Sequence, residues 1–206
     1  MCIGIYCSLK IDFFFGLFSH FKMLEILEDL DLKEDNWLIS LSNIEKFMER
    51  RNYTFQNKIT NDIFLYQQNE TGSPLFIILV FQEKMGIEHL KNYIGTCEKT
   101  IVKDIIFIYQ NSITTNCSKI IENMFQFHVE LFSLNEFQYD ITKLYYYVPH
   151  EKVTNEKKIR EIREIYKNSL PSILRTDPIS RYFGFKRSDI IKITRSPSEI
   201  CYRMVR

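Results

Sequence analysis

Between Trp37 and Tyr53, the apolar residues Trp37, Leu41, Ile44, Phe47 and Met48 recur at three- and four-residue spacing. The stretch then runs out through Glu49-Arg50-Arg51-Asn52-Tyr53. That spacing predicts one amphipathic helix with a charged exit, because residues three and four apart share a helix face. The period then changes. Ile63-Phe64-Leu65-Tyr66, the polar Asn69-Glu70-Thr71-Gly72-Ser73 and Leu75-Phe76-Ile77-Ile78-Leu79-Val80-Phe81 read as strand, turn and strand. The second strand is apolar at consecutive positions, which predicts a central strand covered on both faces. Ile87, Leu90 and Ile94 mark a short helix, and Ile105-Ile106-Phe107-Ile108-Tyr109 a further buried strand. Ile120, Ile121, Met124 and Phe125 predict another helix, and Val129-Glu130-Leu131-Phe132 another strand. Strands alternating with helices imply an α/β layer structure with parallel pairings.

A second domain is expected from Asp140 onward. Thr154 reads as the N-cap of a helix carrying Ile159, Ile162, Ile165 and Tyr166 on one face. Glu156–Arg160 and Lys157–Glu161 fall at i,i+4 on its other face. Ser169-Leu170-Pro171 breaks that helix. Asp177-Pro178 then supplies an N-cap and an N1 proline, and Gly184 a left-handed stop, around the short Ile179-Ser180-Arg181-Tyr182-Phe183. Ile190 to Thr194, the turn Ser196-Pro197-Ser198 and Ile200 to Val205 form a terminal hairpin. The fold class read from this pattern is α/β (α+β). Its expected domains are an N-terminal extension (1–35), a larger domain with a mixed sheet flanked by helices (36–139), and a small α/β domain ending in a hairpin (140–206).

The apolar run Phe13-Phe14-Phe15-Gly16-Leu17-Phe18 is too short to span a bilayer and lacks the flanks of a signal peptide. Met23 opens a different, acidic segment and is an alternative start. The chain is 206 residues, 45% hydrophobic and 26% charged, which suits a folded globular protein rather than a disordered one. Alanine is absent altogether. No folding rule requires that, and an AT-rich gene explains it.

A net charge of +1 hides an asymmetry. Residues 140–206 hold 15 Lys+Arg against 8 Asp+Glu, a balance of +7, and the remainder holds 12 against 18, a balance of −6. A basic tail suits nucleic acid, an acidic protein surface or plain solvation.

Five cysteines without a C-x-x-C pair imply neither a disulfide framework nor a zinc knuckle. The four histidines are scattered and lack metal-ligand spacing. There is no P-loop, G-x-G-x-x-G or G-x-S-x-G. A restriction-type nuclease needs a carboxylate pair and a lysine two residues after the second acid. Here the second apolar strand leads into Gln82-Glu83-Lys84, whose acid and lysine are adjacent and point to opposite faces. The acid-x-Lys spacings Asp31-Leu32-Lys33 and Glu156-Lys157-Lys158 follow no core strand. Catalytic residues, cofactors, metals, membrane insertion and a small-molecule ligand are therefore not expected.

The run Leu170-Pro171-Ser172-Ile173-Leu174-Arg175-Thr176-Asp177-Pro178-Ile179-Ser180-Arg181-Tyr182-Phe183-Gly184-Phe185-Lys186-Arg187, with Ile190 to Arg195 and Tyr202-Arg203, resembles the assembly domain of RNA polymerase subunit 5. Ile106-Phe107-Ile108-Tyr109-Gln110-Asn111-Ser112-Ile113-Thr114 is similar to a strand and loop of the jaw domain found in the eukaryotic, two-domain form. The archaeal counterpart has the assembly domain and lacks the jaw. The chain departs from the family pattern at Thr114-Thr115-Asn116-Cys117, at Tyr145-Tyr146-Tyr147 and at Ser188, where the family carries glycine. Such drift, in an alanine-free chain, suggests a large-DNA-virus copy, with a divergent AT-rich eukaryote as the alternative.

The resemblance implies a non-catalytic subunit of a multisubunit DNA-directed RNA polymerase. It would dock on the largest subunit through the basic domain and project a jaw toward downstream duplex DNA. It places Thr114, Thr115, Asn116 and Lys119 in the DNA-proximal loop. By residue type alone, the same stretch could simply start a helix, with Thr115 as its N-cap. Within that docking domain, Arg181, Tyr182, Phe183, Lys186 and Arg187 are the expected partner interface, one of the two rings turned inward, because aromatic residues and cations dominate interfaces. The expected location is the site of transcription: a viral factory in the host cytoplasm and the virion, or the nucleus if the chain is cellular. A free-standing DNA-binding or regulatory module is the alternative of a different class.

Overall fold

The computed structural model describes residues 35–206. The apolar run before Phe21, the alternative start at Met23 and the acidic extension lie outside the described residues. The chain divides into two compact units between Tyr139 and Asp140.

In the first unit, helix α1 (Asp35–Arg50) starts two residues before the expected Trp37. Strand β1 (Tyr53–Lys58), which the apolar pattern does not reveal, follows it directly. Then come β2 (Ile63–Gln68), β3 (Pro74–Val80), β4 (Lys84–Met85), α2 (Ile87–Cys97), β5 (Asp104–Tyr109), β6 (Ser112–Ile113), α3 (Thr115–Glu122) and β7 (His128–Ser133). The main sheet runs β1-β2-β3-β5-β7, and β4 pairs with β6 in a small second sheet. The hairpin steps β1/β2 and β2/β3 are antiparallel, whereas β3/β5 and β5/β7 are parallel. Crossover segments carrying α2 and α3 join the parallel strands, as parallel pairing requires.

Leu75 to Val80 are all buried, at 3% exposure or less. Alternate residues of β3 serve opposite faces. Phe76, Ile78 and Val80 pack with Leu90, Tyr93 and Ile94 of α2 and Cys117 and Ile121 of α3. On α1, the buried Phe47 meets Phe132 of β7 edge to face, with centroids 5.4 Å apart. Asn43 Nδ2 donates to the Phe137 carbonyl at 2.8 Å, and Gln138 Nε2 donates to Ser40 Oγ at 2.6 Å. Arg51, its side chain only 6% exposed, donates both guanidinium nitrogens to Glu130 of β7 and lies 4.3 Å over the Phe47 ring. These contacts fasten the exit of α1 to the far strand of the sheet.

The expected helix through Met124 and Phe125 is corrected: α3 stops at Glu122, and Phe125 is 97% exposed. Only Cys117 and Ile121 of α3 are buried. The strand expected to run on through Phe81 ends at Val80, and Lys84 belongs to the separate β4.

The second unit comprises β8 (His150–Lys152), α4 (Glu156–Tyr166), β9 (Ser172–Ile173), α5 (Pro178–Phe183), β10 (Ile190–Ser196) and β11 (Glu199–Val205). Its sheet runs β8-β10-β11-β9, with the terminal hairpin at its centre and only β11/β9 parallel. Ile162, Leu170 and Ile190 form a core on one face with Ile159, Tyr166, Tyr202 and Met204. Ile173, Phe185, Ile191, Ile193 and Val205 form the other core, with Phe183 and Val148 against it.

Three local expectations are corrected here. The cap of α4 is Asn155, whose side chain accepts from Lys158 N, not Thr154. Ile165 is 76% exposed, because the buried stripe runs through Ile159, Ile162 and Tyr166 and leaves it on the flank. The ion pair on this helix is Lys158–Glu161 at 3.5 Å rather than either expected i,i+4 pair.

Candidate functional site

Short helices have little stability of their own, so what fixes α5 decides where its side chains point. Asp177 accepts at one carboxylate oxygen from Ile179 N at 2.9 Å and Ser180 N at 3.4 Å. Pro178 takes the first helical position, where a missing N–H costs nothing. Gly184 closes the helix at φ 65°, with its N–H donating to Arg181 O and that of Phe185 to Ser180 O. Only six residues separate cap from stop.

Around this frame the predicted interface residues divide. Tyr182 is buried, at 8% exposure, and its ring meets Phe183 edge to face with centroids 5.2 Å apart. Phe183 is half-buried and stacks on Phe185 with centroids 5.5 Å apart and planes 14° from parallel. Arg181 is half-buried, whereas Lys186 and Arg187 are exposed. The backbone beneath them is held: Lys186 N donates to Asp189 Oδ2 at 2.8 Å, and Asp189 Oδ1 pairs with Lys152 at 2.8 Å. Other cations nearby are already committed, Lys192 to Glu151 and Arg195 to Glu199, each at 3.1 Å. Lys186 and Arg187 make no such ion pair among the described residues. Arg175, just before α5, is likewise exposed with no such pair.

In the first unit, the expected loop at Thr114 to Lys119 is the opening of α3. Thr114, not Thr115, is its N-cap, and its hydroxyl accepts from Cys117 N at 3.3 Å. Its own N–H donates to Met85 O at 3.1 Å, which ties the cap to β4. Thr115, Asn116 and Lys119 are exposed. The first turn holds no acidic residue, so the positive end of the helix is uncompensated there. An open depression of about 370 Å³ lies farther along α3, between Lys119, Ile120, Asn123 and Met124.

Several of the described cysteines and histidines have a packing or local hydrogen-bonding role. Cys97 and Cys117 are buried, and burial, with Glu98 beside it, pushes the Cys97 thiol up to about 11. His89 Nδ1 accepts from Gly86 N and completes the box that opens α2. His150 Nδ1 lies 2.7 Å from Val148 O. No group of three His, Cys, Asp or Glu able to hold a metal is present among the described residues. No helix there is long and apolar enough to cross a membrane.

One surface feature is not legible in the sequence. Tyr145 is 98% and Tyr146 70% exposed, set edge to face with centroids 5.8 Å apart. Three consecutive tyrosines show an unusual composition, but nothing in the string tells which ring folds inward.

Residues 139–205 match the family model of the RNA polymerase Rpb5 C-terminal domain. A protein of Invertebrate iridescent virus 6, named as a DNA-directed RNA polymerase subunit, is 33% identical over 113 residues, covering 50% of this chain. That match spans only 61% of the viral relative's length. A Dictyostelium discoideum subunit of DNA-directed RNA polymerases I, II and III is 25% identical, over 78% of this chain and 80% of its own. Its Caenorhabditis briggsae counterpart is 28% identical, over 69% of this chain and 71% of its own.

Proposed function

The chain belongs to the RNA polymerase subunit 5 family, and from that premise we propose that it is a non-catalytic subunit of a multisubunit DNA-directed RNA polymerase. The observation that carries this reading is the coincidence of the family match with the basic second unit. Residues 139–205 match the family, and residues 140–206 hold the +7 balance. In this reading the second unit docks on the largest subunit through the exposed Lys186 and Arg187, with Arg181 and Phe183 beside them. Tyr182 is buried and is not part of that exposed charge. Cations aimed at an acidic protein surface favour the right partner and speed encounter.

The first unit then serves as the lower jaw near downstream DNA. The exposed Thr115, Asn116 and Lys119, with the Thr114 cap, offer amide, hydroxyl and ammonium donors to phosphate oxygens, which position a duplex without reading its sequence. Residues 36–139 carry no basic excess, so this contact is weak alone and works through tethering in the assembly. The protein acts at the site of transcription. For a viral chain that is the cytoplasmic factory, with carriage in the virion; for a cellular one it is the nucleus.

Co-expression of the tagged full chain with the largest polymerase subunit of the same source tests the reading. Co-elution at a fixed stoichiometry is expected. Lys186→Glu with Arg187→Glu should leave the chain folded and abolish incorporation, because charge reversal at exposed positions costs the fold only about 0.5 kcal/mol or less. Elution of the wild-type chain alone, bound to DNA, would instead identify a free-standing module.

A further inference from the structure

Tyr145 and Tyr146 occupy the two middle positions of a turn closed by Tyr147 N donating to Leu144 O at 2.9 Å. Both ends of that turn are held. Upstream, one Asp140 carboxylate oxygen accepts from Thr142 N at 3.0 Å and Thr142 Oγ1 at 2.7 Å, capping the single 3-10 turn Ile141–Lys143. Downstream, Val148 packs on the core beneath α5, and the Tyr147 ring lies 6.3 Å from the His150 ring. The backbone that carries the two tyrosines is therefore held at both ends. Neither contributes to the core of its own unit. Two exposed aromatic rings in mutual contact serve no folding purpose visible in this unit.

We propose that Tyr145 and Tyr146 are an anchor by which the second unit grips an acidic protein surface of the polymerase. This proposal rests on the subunit reading above and adds a second point of attachment to it. The partner is identified by chemistry. Tyrosine side chains on a held backbone have few rotatable bonds and lose little conformational freedom on binding, and aromatic residues near cations are the usual energetic centres of protein interfaces. Their hydroxyls can donate to carboxylates at the rim of an apolar pocket. The unit's +7 balance and the exposed Lys143 beside the turn favour an acidic rim by charge complementarity. A nucleic acid fits less well. A duplex offers no pocket for two rings, and an edge-to-face pair does not provide the successive parallel faces on which unpaired bases stack.

The test uses the full chain co-expressed with the largest polymerase subunit, comparing wild type, Tyr145→Ser/Tyr146→Ser and Tyr145→Phe/Tyr146→Phe. The serine pair should weaken association at least about tenfold, in line with the loss of an aromatic hot spot, with far-UV circular dichroism and melting unchanged. The phenylalanine pair should keep most of the affinity. A serine variant that binds as tightly as wild type would overturn the anchor and leave the subunit reading standing. Failure of the wild-type chain itself to bind would overturn both. Full incorporation of the serine variant, with weaker retention of DNA by the complex, would assign the rings to nucleic acid and overturn the protein partner. Self-association of the wild-type chain that the serine variant abolishes would make the partner a second copy, with the same consequence.

Discussion

At the scale of single residues, the backbone shows where this chain departs from an easier solution. Ser188 sits at φ 72°, a left-handed conformation that glycine adopts without steric cost and a side chain does not. It is held there because its N–H donates to Val205 O at 2.9 Å while Val205 N donates to Asp189 O at 2.9 Å. The resemblance expects glycine at this position, so a departure visible in the sequence coincides with strain in the structure. Ser188→Gly should therefore stabilise the chain by about 0.5 to 1 kcal/mol, the relief of a left-handed side chain less the added freedom of the unfolded glycine. Gly184→Ala, at φ 65°, should destabilise it by about 1 kcal/mol. Urea unfolding of the full chain reads both, and a lower midpoint for Ser188→Gly would refute the assignment of strain. Residue identity says less about direction. Tyr182 and Phe183 are adjacent aromatics in a six-residue helix, and only their exposure in the fold separates the buried Tyr182 from the half-buried Phe183.

At the scale of elements, strong periodicity is readable and boundaries are not. The β3 strand is apolar at every position from Leu75 to Val80 because both its faces are covered, and α5 is bracketed by residues with a unique use, Asp177, Pro178 and Gly184. By contrast, β1 is an edge strand with only alternate, partly buried positions and a bulge between Phe55 and Asn57, so its pattern of YTFQNK resembles a polar loop. The end of α3 escapes the apolar pattern because Met124 and Phe125 continue the spacing after the backbone has stopped at Glu122. The caps of α3 and α4 each lie one residue from the expected position. Thr114-Thr115 and Thr154-Asn155 offer two adjacent side chains able to cap, and only geometry chooses between them. That choice is measurable. Asn155→Ala and Thr114→Ala should each cost about 1 kcal/mol, while Thr154→Ala and Thr115→Ala should stay within about 0.5 kcal/mol of wild type. Equal losses within either pair would mean that the cap is shared. The Thr115 variant has a further use: diminished DNA retention by an assembled polymerase, without loss of stability, would support phosphate contact at the start of α3.

At the scale of the whole molecule, the two units answer to different physics, and pH separates them. The second carries the basic excess and relies on exposed charge for its proposed partner. The first is large, aromatic and densely packed, and its ionisable groups include several that burial keeps neutral. Burial raises Tyr93 up to about 12, and it raises Tyr66, Tyr53 and Cys117 as well; Cys97 stands at about 11. For Tyr53, the nearby Asp104 carboxylate adds to the burial effect. In each case the folded pKa lies above the group's ordinary value, so the neutral form is the one the fold favours. Their contribution is complete below the unfolded values of about 9 for cysteine and 10 for tyrosine. It is lost as pH rises through the folded ones. The first unit should thus lose stability steadily between about pH 9 and pH 12, whereas breaking carboxylate pairs would act at the acid end. Trp37, the single tryptophan and fully buried in this unit, supplies a specific probe. Urea melts followed by its fluorescence should show a midpoint that falls through that window. Tyr93→Phe, which removes a group that must ionise while keeping the ring edge to face with Phe107 at 5.9 Å, should flatten the fall. A midpoint independent of pH up to 12, or a Tyr93→Phe variant with the same slope as wild type, would show that these buried groups do not govern the alkaline limit of the unit.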